Sequence, residues 1–314
     1  GLVVVDEEHE LSYKQFDPSP RYHARDSAIV LAGIHHAKVL LGSATPSVES
    51  SYNCLSGKYG LVKLIERFGK VELPEIVTVD LKIAHKKKQV KGGFTRALIK
   101  EMDKTLAMDK QIILFQNQRG YAPVMECLNC GHTPHCNQCD VTLTYHQYTD
   151  QLKCHYCGYQ IKVPEKCHAC GLQNLSSKGV GTQQIQEQVL ALFPEVNVAR
   201  MDWDTTRGKW AFDKLIHSFA TKEVKVLVGT QMIVKGLDFQ NVHLVGVLNA
   251  DHLMNFPDFR AHERTYQMLS QVAGRAGRKE LRGKVLIQTY QPNHPIINEV
   301  IEGNYDKMFK QQLK

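Results

Sequence analysis

Eight of the nine cysteines in this chain form four Cys-x-x-Cys pairs near its middle: Cys127/Cys130, Cys136/Cys139, Cys154/Cys157 and Cys167/Cys170. Zn²⁺ prefers four soft ligands in a tetrahedron, and a two-residue spacer lets one tight turn aim two sulfurs at the same ion. Disulfides are the alternative, but they need an oxidising compartment, and the sequence has no signal peptide and no apolar run long enough to cross a membrane. The cysteines therefore predict two structural zinc sites in a cytoplasmic protein.

The lengths of the connecting segments indicate how the four pairs combine. Five residues separate the first pair from the second, whereas fourteen separate the second from the third. A five-residue link is too short for both flanking pairs to surround one ion comfortably, so we expect a nested arrangement. The inner site would comprise Cys136, Cys139, Cys154 and Cys157, and the outer site Cys127, Cys130, Cys167 and Cys170. Four nearby histidines are expected to be exposed polar residues rather than ligands: His132, His135, His155 and His168.

A second group of reactive residues follows the first apolar run of the chain. Residues 2–5 are apolar and mostly β-branched, which predicts a parallel strand buried on both faces, and Asp6-Glu7-Glu8-His9 comes directly after it. Open α/β sheets place ligand sites at the carboxyl ends of their strands. There, Asp6 would hold Mg²⁺ and Glu7 would orient or deprotonate an attacking water. An ordinary acidic turn after a strand is the alternative.

Aromatic and basic residues alternate in the next segment, 11–25. Tyr13, Phe16 and Tyr22 stand among cations that include Lys14 and Arg21. Aromatic faces beside cations suit stacking on unpaired bases, so these five residues are candidate DNA contacts. A loop aromatic can also fill a nearby core, and that alternative stays open.

Several turns after predicted strands carry small polar residues. The candidates for coupling to a bound nucleotide are His9, Ser43, Thr45, Gly236 and Asp238. Thr230 and Gln231, which follow a predicted strand at 224–229, could bind a nucleic-acid phosphate. Taken singly, these residues would pass for ordinary strand-end turns.

The last group of reactive residues is Gln-Val-Ala-Gly-Arg-Ala-Gly-Arg at 271–278. On a helix, Gln271, Arg275 and Arg278 are i, i+4 and i+7, so we predict that they share one face. Two guanidinium groups beside glycines suit stabilisation of charge on a γ-phosphate. A basic helix end that complements its own dipole would explain the arginines but not Gly274 and Gly277.

Strands and helices alternate around these residues, which predicts an α/β fold with parallel sheets. At 314 residues and 43% hydrophobic content, the chain can bury substantial cores, and its net charge of +7 is compatible with a polyanionic partner. The basic run at 81–100 is interpreted as a solvated linker, with contact to a nucleic-acid backbone as the minority alternative. The predicted segments are a first lobe at 1–75, the start of a second lobe at 76–122, a zinc-binding module at 123–178, the rest of the second lobe at 179–290 and a further domain beginning at 291–314.

Together these motifs resemble the PriA family of replication-restart helicases, which belongs to superfamily 2. The resemblance covers almost the entire chain, including Arg21-Tyr22-His23-Ala24-Arg25-Asp26 and Gly-Thr-Gln-Met-x-x-Lys-Gly at 229–236. It implies two RecA-like lobes with a two-zinc insertion in the second. It also implies an ATP- and Mg²⁺-dependent 3′-to-5′ DNA translocase, with Asp6-Glu7 as the Walker B box and Ser43-Ala44-Thr45 as motif III. The implied partners are single-stranded and forked DNA, primosome proteins, the machinery that loads the replicative helicase, and single-stranded-DNA-binding protein.

A P-loop, G-x-x-x-x-G-K-[ST], does not occur in the sequence. We therefore expect a carboxy-terminal fragment that begins near the Walker B box, has an incomplete first lobe and does not hydrolyse ATP alone. Two alternatives from other classes stay open. One is a zinc-stapled scaffold that binds nucleic acid or protein without catalysis, and the other is a superfamily-2 repair translocase with an unrelated zinc insertion.

Overall fold

The structure is a computed structural model, and it describes most of the chain. The described residues are 1–15, 17–64, 72–116, 124–139, 141–146, 149–176, 181–206, 208, 210–234, 239–277 and 282–313, with only the backbone described at 203, 204 and 234. Four predicted site residues lie outside them: Phe16, Gly236, Asp238 and Arg278.

Strands and helices alternate along much of the described chain. The strands are β1 (Leu2–Val5), β2 (Lys38–Leu41), β3 (Glu75–Asp80), β4 (Val90–Lys91), β5 (Phe94–Thr95), β6 (Gln111–Phe115), β7 (Glu126–Cys127), β8 (Thr144–His146), β9 (Gln151–Lys153), β10 (Gln160–Lys162), β11 (Leu175–Ser176), β12 (Val198–Met201), β13 (Val226–Gly229), β14 (Val242–Val247) and β15 (Lys284–Thr289). The helices are α1 (Ala24–Ile34), α2 (Val48–Leu55), α3 (Leu81–Lys86), α4 (Arg96–Ala107), α5 (Thr182–Leu192), α6 (Trp203–Thr206), α7 (Ala211–Ala220), α8 (Asp251–Met254), α9 (Ala261–Ala273), α10 (Pro295–Glu302) and α11 (Tyr305–Gln312). Among the described helices, none combines the length and apolar character needed to cross a membrane.

The chain forms two compact units. The first comprises Gly1–Ile65 and Asn304–Lys314, and the second comprises Glu66–Gly303. Residues 293–314 contain two helices, α10 in the second unit and α11 in the first. Gly303, with φ of +63°, caps the end of α10 and separates them.

The first unit is built on a parallel pair of strands. β1 and β2 pair in register from Leu2 with Lys38 to Val5 with Leu41, so the turns that follow them lie side by side. The expectation that β1 is buried on both faces is wrong, because Leu2 and Val4 are 65% and 59% exposed. Side chains alternate between the two faces of a strand, and among the described residues of this unit only the face that carries Val3 and Val5 is packed.

The second unit contains a six-stranded parallel sheet in the order β12-β13-β6-β14-β15-β3. All five residues of β6 are buried, as its apolar run predicts for a central parallel strand. Leu98 and Met102 of α4, and Ile185 and Val189 of α5, belong to the same buried core as the sheet. The predicted α/β fold with a RecA-like parallel-sheet lobe is confirmed.

The basic run at 81–100 is ordered rather than a solvated linker. It contains α3, the β4-β5 hairpin and the start of α4, and it buries Leu81, Ala84 and Phe94. These apolar side chains, together with the buried Leu98, anchor the segment to the core, while its lysines remain exposed. The preceding edge strand β3, which pairs with β15, was not predicted because its sequence lacks a sustained apolar run.

The zinc module lies within the second unit, between β6 and α5, as the sequence predicts. A three-stranded antiparallel sheet in the order β10-β9-β8 and the antiparallel pair β7-β11 form its framework. A small core that includes Leu143 and Leu152 also contains two cysteines, Cys136 and Cys154. The module therefore depends on its cysteine clusters as much as on apolar packing.

Candidate metal centres and hydrolytic site

The outer cysteine cluster brings four sulfurs together from two distant pairs. Cys127 and Cys130 meet Cys167 and Cys170, with all ligand atoms within 4.8 Å of one another. The Sγ atoms of Cys127 and Cys170 are 3.6 Å apart, and those of Cys130 and Cys167 are 3.7 Å apart. Sulfurs that bind one zinc at about 2.3 Å in a tetrahedron are about 3.8 Å from each other, whereas a disulfide needs about 2.05 Å. The spacing fits zinc.

The inner cluster has the same geometry and contains Cys136, Cys139, Cys154 and Cys157. The Sγ atoms of Cys136 and Cys157 are 3.5 Å apart. Backbone N–H groups support the sulfurs, because Gln138 donates to Sγ of Cys136 at 3.4 Å and Tyr159 donates to Sγ of Cys157 at 3.5 Å. The two sets are those expected from the segment lengths, and none of the four nearby histidines belongs to either set.

The cysteines differ in pKa, so protonation opposes metal binding more strongly at some thiols than at others. Burial and neighbouring sulfurs raise the pKa of Cys130 to about 12, and the hydrogen bond with Cys157 together with burial raises the pKa of Cys139 to about 12. The backbone N–H of Leu172 instead lowers the pKa of Cys170 to about 7. Because zinc binds thiolates, loading each site must displace protons, and the zinc ion supplies the charge that keeps four sulfurs together.

Each Cys-x-x-Cys turn is called a knuckle. The knuckle of Cys127 and Cys130, in the outer site, packs against the parallel-sheet part of the second unit. Gly131, in the left-handed region at φ +73°, lies so close to Tyr290 that an added Cβ would overlap the Cγ of the ring. The Tyr290 hydroxyl donates to the carbonyl oxygen of Leu128 at 3.3 Å. His252 pairs with Glu126 at 2.9 Å, and although burial opposes protonation, this carboxylate raises the pKa of His252. Tyr290 and His252 follow β15 and β14, so the module contacts the carboxyl edge of the sheet.

The acidic box lies at the carboxyl end of β1. Asp6 accepts a hydrogen bond from the backbone N–H of Glu7 on its Oδ1 at 3.0 Å, and Glu7 has a positive φ of 48°. Non-glycine residues in this region carry strain, which is often found at functional sites. The buried Oε2 of Glu7 accepts no hydrogen bond from the described residues and lies 3.6 Å from Nδ1 of His9. One oxygen of this carboxylate is therefore buried beside His9 without a hydrogen-bond donor among the described residues.

The turn after β2 contacts the acidic box. Nδ1 of His9 lies 2.7 Å from Oγ of Ser43, and the same Oγ accepts a hydrogen bond from the backbone N–H of Thr45 at 3.0 Å. Three predicted nucleotide-coupling residues are thus in direct contact. The parallel register of β1 and β2 brings their two turns together.

Glu8, which sequence reasoning left without a role, braces this arrangement. The residue is 1% exposed, and its carboxylate accepts hydrogen bonds from the backbone N–H of Ser47 at 2.6 Å and from Oγ of Ser50 at 2.8 Å. Nη1 of Arg25 donates to the same carboxylate at 2.7 Å. In the sequence, Glu8 cannot be told apart from its acidic neighbours Asp6 and Glu7, because only its burial in the folded chain distinguishes it.

The aromatic-rich loop is attached to the box. The Tyr13 hydroxyl donates to the carbonyl oxygen of Asp6 at 2.7 Å, and the backbone N–H of Gln15 donates to the carbonyl oxygen of Tyr22 at 2.9 Å. Tyr22 and Arg21 are exposed, whereas Tyr13 and Lys14 are half-buried. The loop therefore has one aromatic residue directed at the box and another directed at solvent.

In the second unit, Thr230 and Gln231 follow β13 at the carboxyl edge of the sheet. Thr230 is 5% exposed, and Gln231 begins a short 3₁₀ helix. Asp202, which was not predicted, follows the neighbouring strand β12 and accepts a hydrogen bond from the Thr182 hydroxyl at 2.7 Å. Burial opposes ionisation, but this bond and that from the Thr205 backbone lower the pKa of Asp202.

Gln271 and Arg275 do not share one helix face, so that prediction is wrong. α9 ends at Ala273 with Gly274 as its cap, and Arg275 lies in the following turn, where its N–H donates to the carbonyl oxygen of Val272. Further along the chain, Gly277 has φ of +66°, which lies outside the right-handed helical region. A Cβ on Gly277 would overlap the backbone of Gly283, so this glycine serves backbone packing within the unit.

Comparison with known proteins agrees with these features. Residues 136–162 match the family described as the PriA DNA helicase Cys-rich region domain, and residues 176–280 match the helicase conserved C-terminal domain. The chain is 43% identical over 317 residues to the replication restart protein PriA of Bacillus subtilis strain 168 and 40% identical over 315 residues to that of Chlamydia pneumoniae. A solved structure of RecG bound to a three-way DNA junction superposes with a TM-score of 0.51 at 11% identity, covering 100% of this chain and 30% of that one, which supports the fold alone.

Both PriA alignments cover 100% of this chain, but only 39% of the Bacillus protein and 42% of the Chlamydia protein. The chain therefore spans about two fifths of the length of these relatives. The zinc-ribbon and helicase-domain matches fall on the residues that form the inner cysteine cluster and much of the second unit. Over its whole length, the chain is therefore similar to the replication restart protein PriA.

Proposed function

We propose that the chain is part of an ATP-driven, 3′-to-5′ DNA helicase that acts in the restart of replication. The observation that carries the proposal is the acidic box, where Asp6 and Glu7 follow a parallel strand and contact the Ser43 turn through His9. The names of the relatives and the match to a helicase C-terminal domain support the same activity.

In this proposal the carboxylates of Asp6 and Glu7 have separate roles in hydrolysis. Asp6 would hold Mg²⁺, which neutralises charge on the phosphates of ATP, and Glu7 would orient or deprotonate the attacking water. The strained backbone of Glu7 and its buried, unbonded Oε2 support this role. Glu8 is the brace rather than the base, because its oxygens already accept bonds from Arg25, Ser47 and Ser50.

The Ser43 turn and five further predicted site residues would supply the remaining contacts. His9, Ser43 and Thr45 would sense the bound nucleotide, because they form one connected set of hydrogen bonds. The groups proposed to act on the γ-phosphate or the nucleotide are Gln271, Arg275, Arg278, Gly236 and Asp238. Guanidinium groups match phosphate geometry and remain charged at all physiological pH values.

The proposed DNA contacts are Tyr13, Lys14, Phe16, Arg21, Tyr22, Thr230 and Gln231. The bond from Tyr13 to the Asp6 carbonyl supports a role for the aromatic-rich loop in coupling DNA binding to hydrolysis. The exposed Tyr22 and Arg21 offer a ring and a cation to an unpaired strand. Primosome proteins, the machinery that loads the replicative helicase, single-stranded-DNA-binding protein and a cytoplasmic location belong to the same proposal.

The test is ATP hydrolysis by a longer protein that contains this chain, with and without single-stranded DNA. Loss of a general base costs about 10²–10⁴-fold in turnover, so Glu7→Gln should lower DNA-stimulated kcat by that factor while ATP binding persists. The matched control Glu10→Gln, in the same loop, should leave kcat unchanged. The 314-residue chain alone should show no DNA-dependent turnover. Hydrolysis that is unaffected by Glu7→Gln, or that is independent of DNA, would leave the zinc-stapled binding scaffold as the better account.

A further inference from the structure

Two exposed aromatic rings from different parts of the second unit meet on its surface. Tyr156 and Phe259 contact each other edge to face, with ring centroids 6.5 Å apart and an interplanar angle of 79°. Tyr156 is 51% exposed and Phe259 is 70% exposed. Large apolar side chains gain most free energy when buried, so an exposed pair held in mutual contact indicates a binding surface.

Each ring is held by a rigid turn. Tyr156 is one of the two residues between Cys154 and Cys157 of the inner zinc site, in a turn closed by a hydrogen bond from the Gly158 N–H to the Cys154 carbonyl at 3.1 Å. Phe259 precedes α9, and Asp258 beside it accepts bonds from the N–H of Arg260 at 2.9 Å and from Nη1 of Arg264 at 2.6 Å. Ordering these rings on ligand binding would therefore cost little conformational entropy.

The immediate surroundings favour a nucleobase over an apolar protein segment. The guanidinium of Arg260 lies 5.3 Å from the centroid of the Phe259 ring, so a cation is fixed directly beside the aromatic surface. An unpaired nucleotide combines a flat π face with a negative phosphate, and aromatic rings next to arginine match both parts. An apolar helix or strand would meet the charged Arg260 and Asp258 at the same place.

We propose that Tyr156 and Phe259 form a stacking site for an unpaired nucleobase of DNA. This inference rests on the proposed function, because it names a part of the DNA path that the sequence motifs do not include. Stacking requires only a π face, so the site accepts any base. The inner zinc ion would then have a defined task, which is to hold the Tyr156 knuckle against Phe259.

Binding of a labelled 15-nucleotide oligo(dT) to the 314-residue chain, followed by fluorescence anisotropy at low salt, tests the proposal. Stacking of one base contributes about 1–3 kcal/mol, so Phe259→Ala and Tyr156→Ala should each weaken binding about 5- to 150-fold. Phe259→Tyr should retain binding, because it keeps the ring. Leu172→Ala is the matched control, since Leu172 is 50% exposed on a knuckle of the outer zinc site.

A second probe separates base stacking from backbone attraction. An oligonucleotide of the same length with abasic sites throughout keeps the phosphates, so the native chain and Phe259→Ala should bind it equally. In addition, oligo(dT) should quench the fluorescence of Phe259→Trp more than that of the native chain, whose two tryptophans are elsewhere. Zinc content and circular dichroism should match in all variants.

Three results would overturn the stacking site. The first is equal oligo(dT) affinity for the native chain, Phe259→Ala and Leu172→Ala. The second is a difference between variants in self-association by sedimentation with no difference in DNA binding, which would make the pair a protein-docking surface. The third is no binding of oligo(dT) by the native chain, in which case the helicase proposal would still be judged separately by ATP hydrolysis in the longer protein.

Discussion

Gly131→Ala should loosen the zinc module from the second unit, and the structure offers two controls for it. Gly131, Gly158 and Gly171 each follow the second cysteine of a knuckle and have φ values of +73°, +77° and +74°. An alanine in the left-handed region costs about 1–2 kcal/mol at any of them. Only at Gly131 does a Cβ meet another residue, whereas at the two others it meets no described atom within 4 Å.

Gly131→Ala should lose more unfolding free energy than the two controls because of the contact between Gly131 and Tyr290. The added Cβ would overlap Cγ of Tyr290 and lie 2.5 Å from its Cβ, at the root of the side chain rather than at a flexible tip. Tyr290 is 5% exposed, and its backbone N–H donates to Oδ2 of Asp251 at 2.7 Å, so the ring cannot move away easily. Overpacking of a buried contact costs about 1–3 kcal/mol, and we expect this penalty in addition to the backbone term.

Urea unfolding of the zinc-loaded chain measures both terms. Gly158→Ala and Gly171→Ala should lose only the backbone term, and Gly131→Ala should lose about 1–3 kcal/mol more and expose the module to limited proteolysis. In a Tyr290→Ala background, Gly131→Ala should cost no more than the controls, because the clash is absent. Equal losses at all three glycines in the native background would show that the knuckle does not pack on Tyr290 as described.

Three further predictions concern the brace, the metal and pH. Glu8→Ala should destabilise the first unit by about 1–3 kcal/mol, because the buried N–H of Ser47 and hydroxyl of Ser50 lose their acceptor, while the half-buried Arg25 keeps its ion pair with Asp26. Glu10→Ala should change the unfolding free energy little, and comparable losses for the two variants in urea unfolding would contradict the brace. A strong chelator should remove two zinc ions per chain, measured with a metallochromic dye, and should abolish module protection from protease while the parallel sheet keeps its far-ultraviolet dichroism. Burial and the neighbouring His262 lower the pKa of His294 to about 4, so its folded-state pKa is below the ordinary value and stability should fall as pH drops from about 6.5 towards 4. His294→Asn, which can still cap α10, should reduce this pH dependence, and an unchanged slope in unfolding free energy against pH would argue against a buried neutral imidazole.

Short-range patterns were sufficient for much of the fold. The run Gln111-Ile112-Ile113-Leu114-Phe115 predicts a strand with the bounds that β6 has, because five consecutive apolar or amide residues after a helix are typical of a central parallel strand. The cysteine sets could be predicted because ligand spacing and loop length are properties of the local chain. The motifs also pointed to the relatives that the whole chain resembles.

Other features depended on contacts between residues far apart in the chain. After α9 ends at Ala273, the backbone of Gly277 approaches that of Gly283, and no helical periodicity reveals this contact. The exposure of Leu2 and Val4 depends on which faces of a two-stranded sheet are packed, and an apolar run alone does not encode that.

The sequence by itself determined which residues can do chemistry: eight thiols spaced for two metals, an acidic box after a strand and a helicase-like set of turns. Tertiary structure alone decided how the three carboxylates after β1 differ, since burial among Arg25, Ser47 and Ser50 makes Glu8 a brace and leaves an oxygen of Glu7 unbonded. It also decided that the outer zinc knuckle docks on Tyr290, 159 positions after Gly131. The physical reason is the same in both cases. Residue type and spacing define the available donors and acceptors, but desolvation and contact depend on what the folded chain brings beside them.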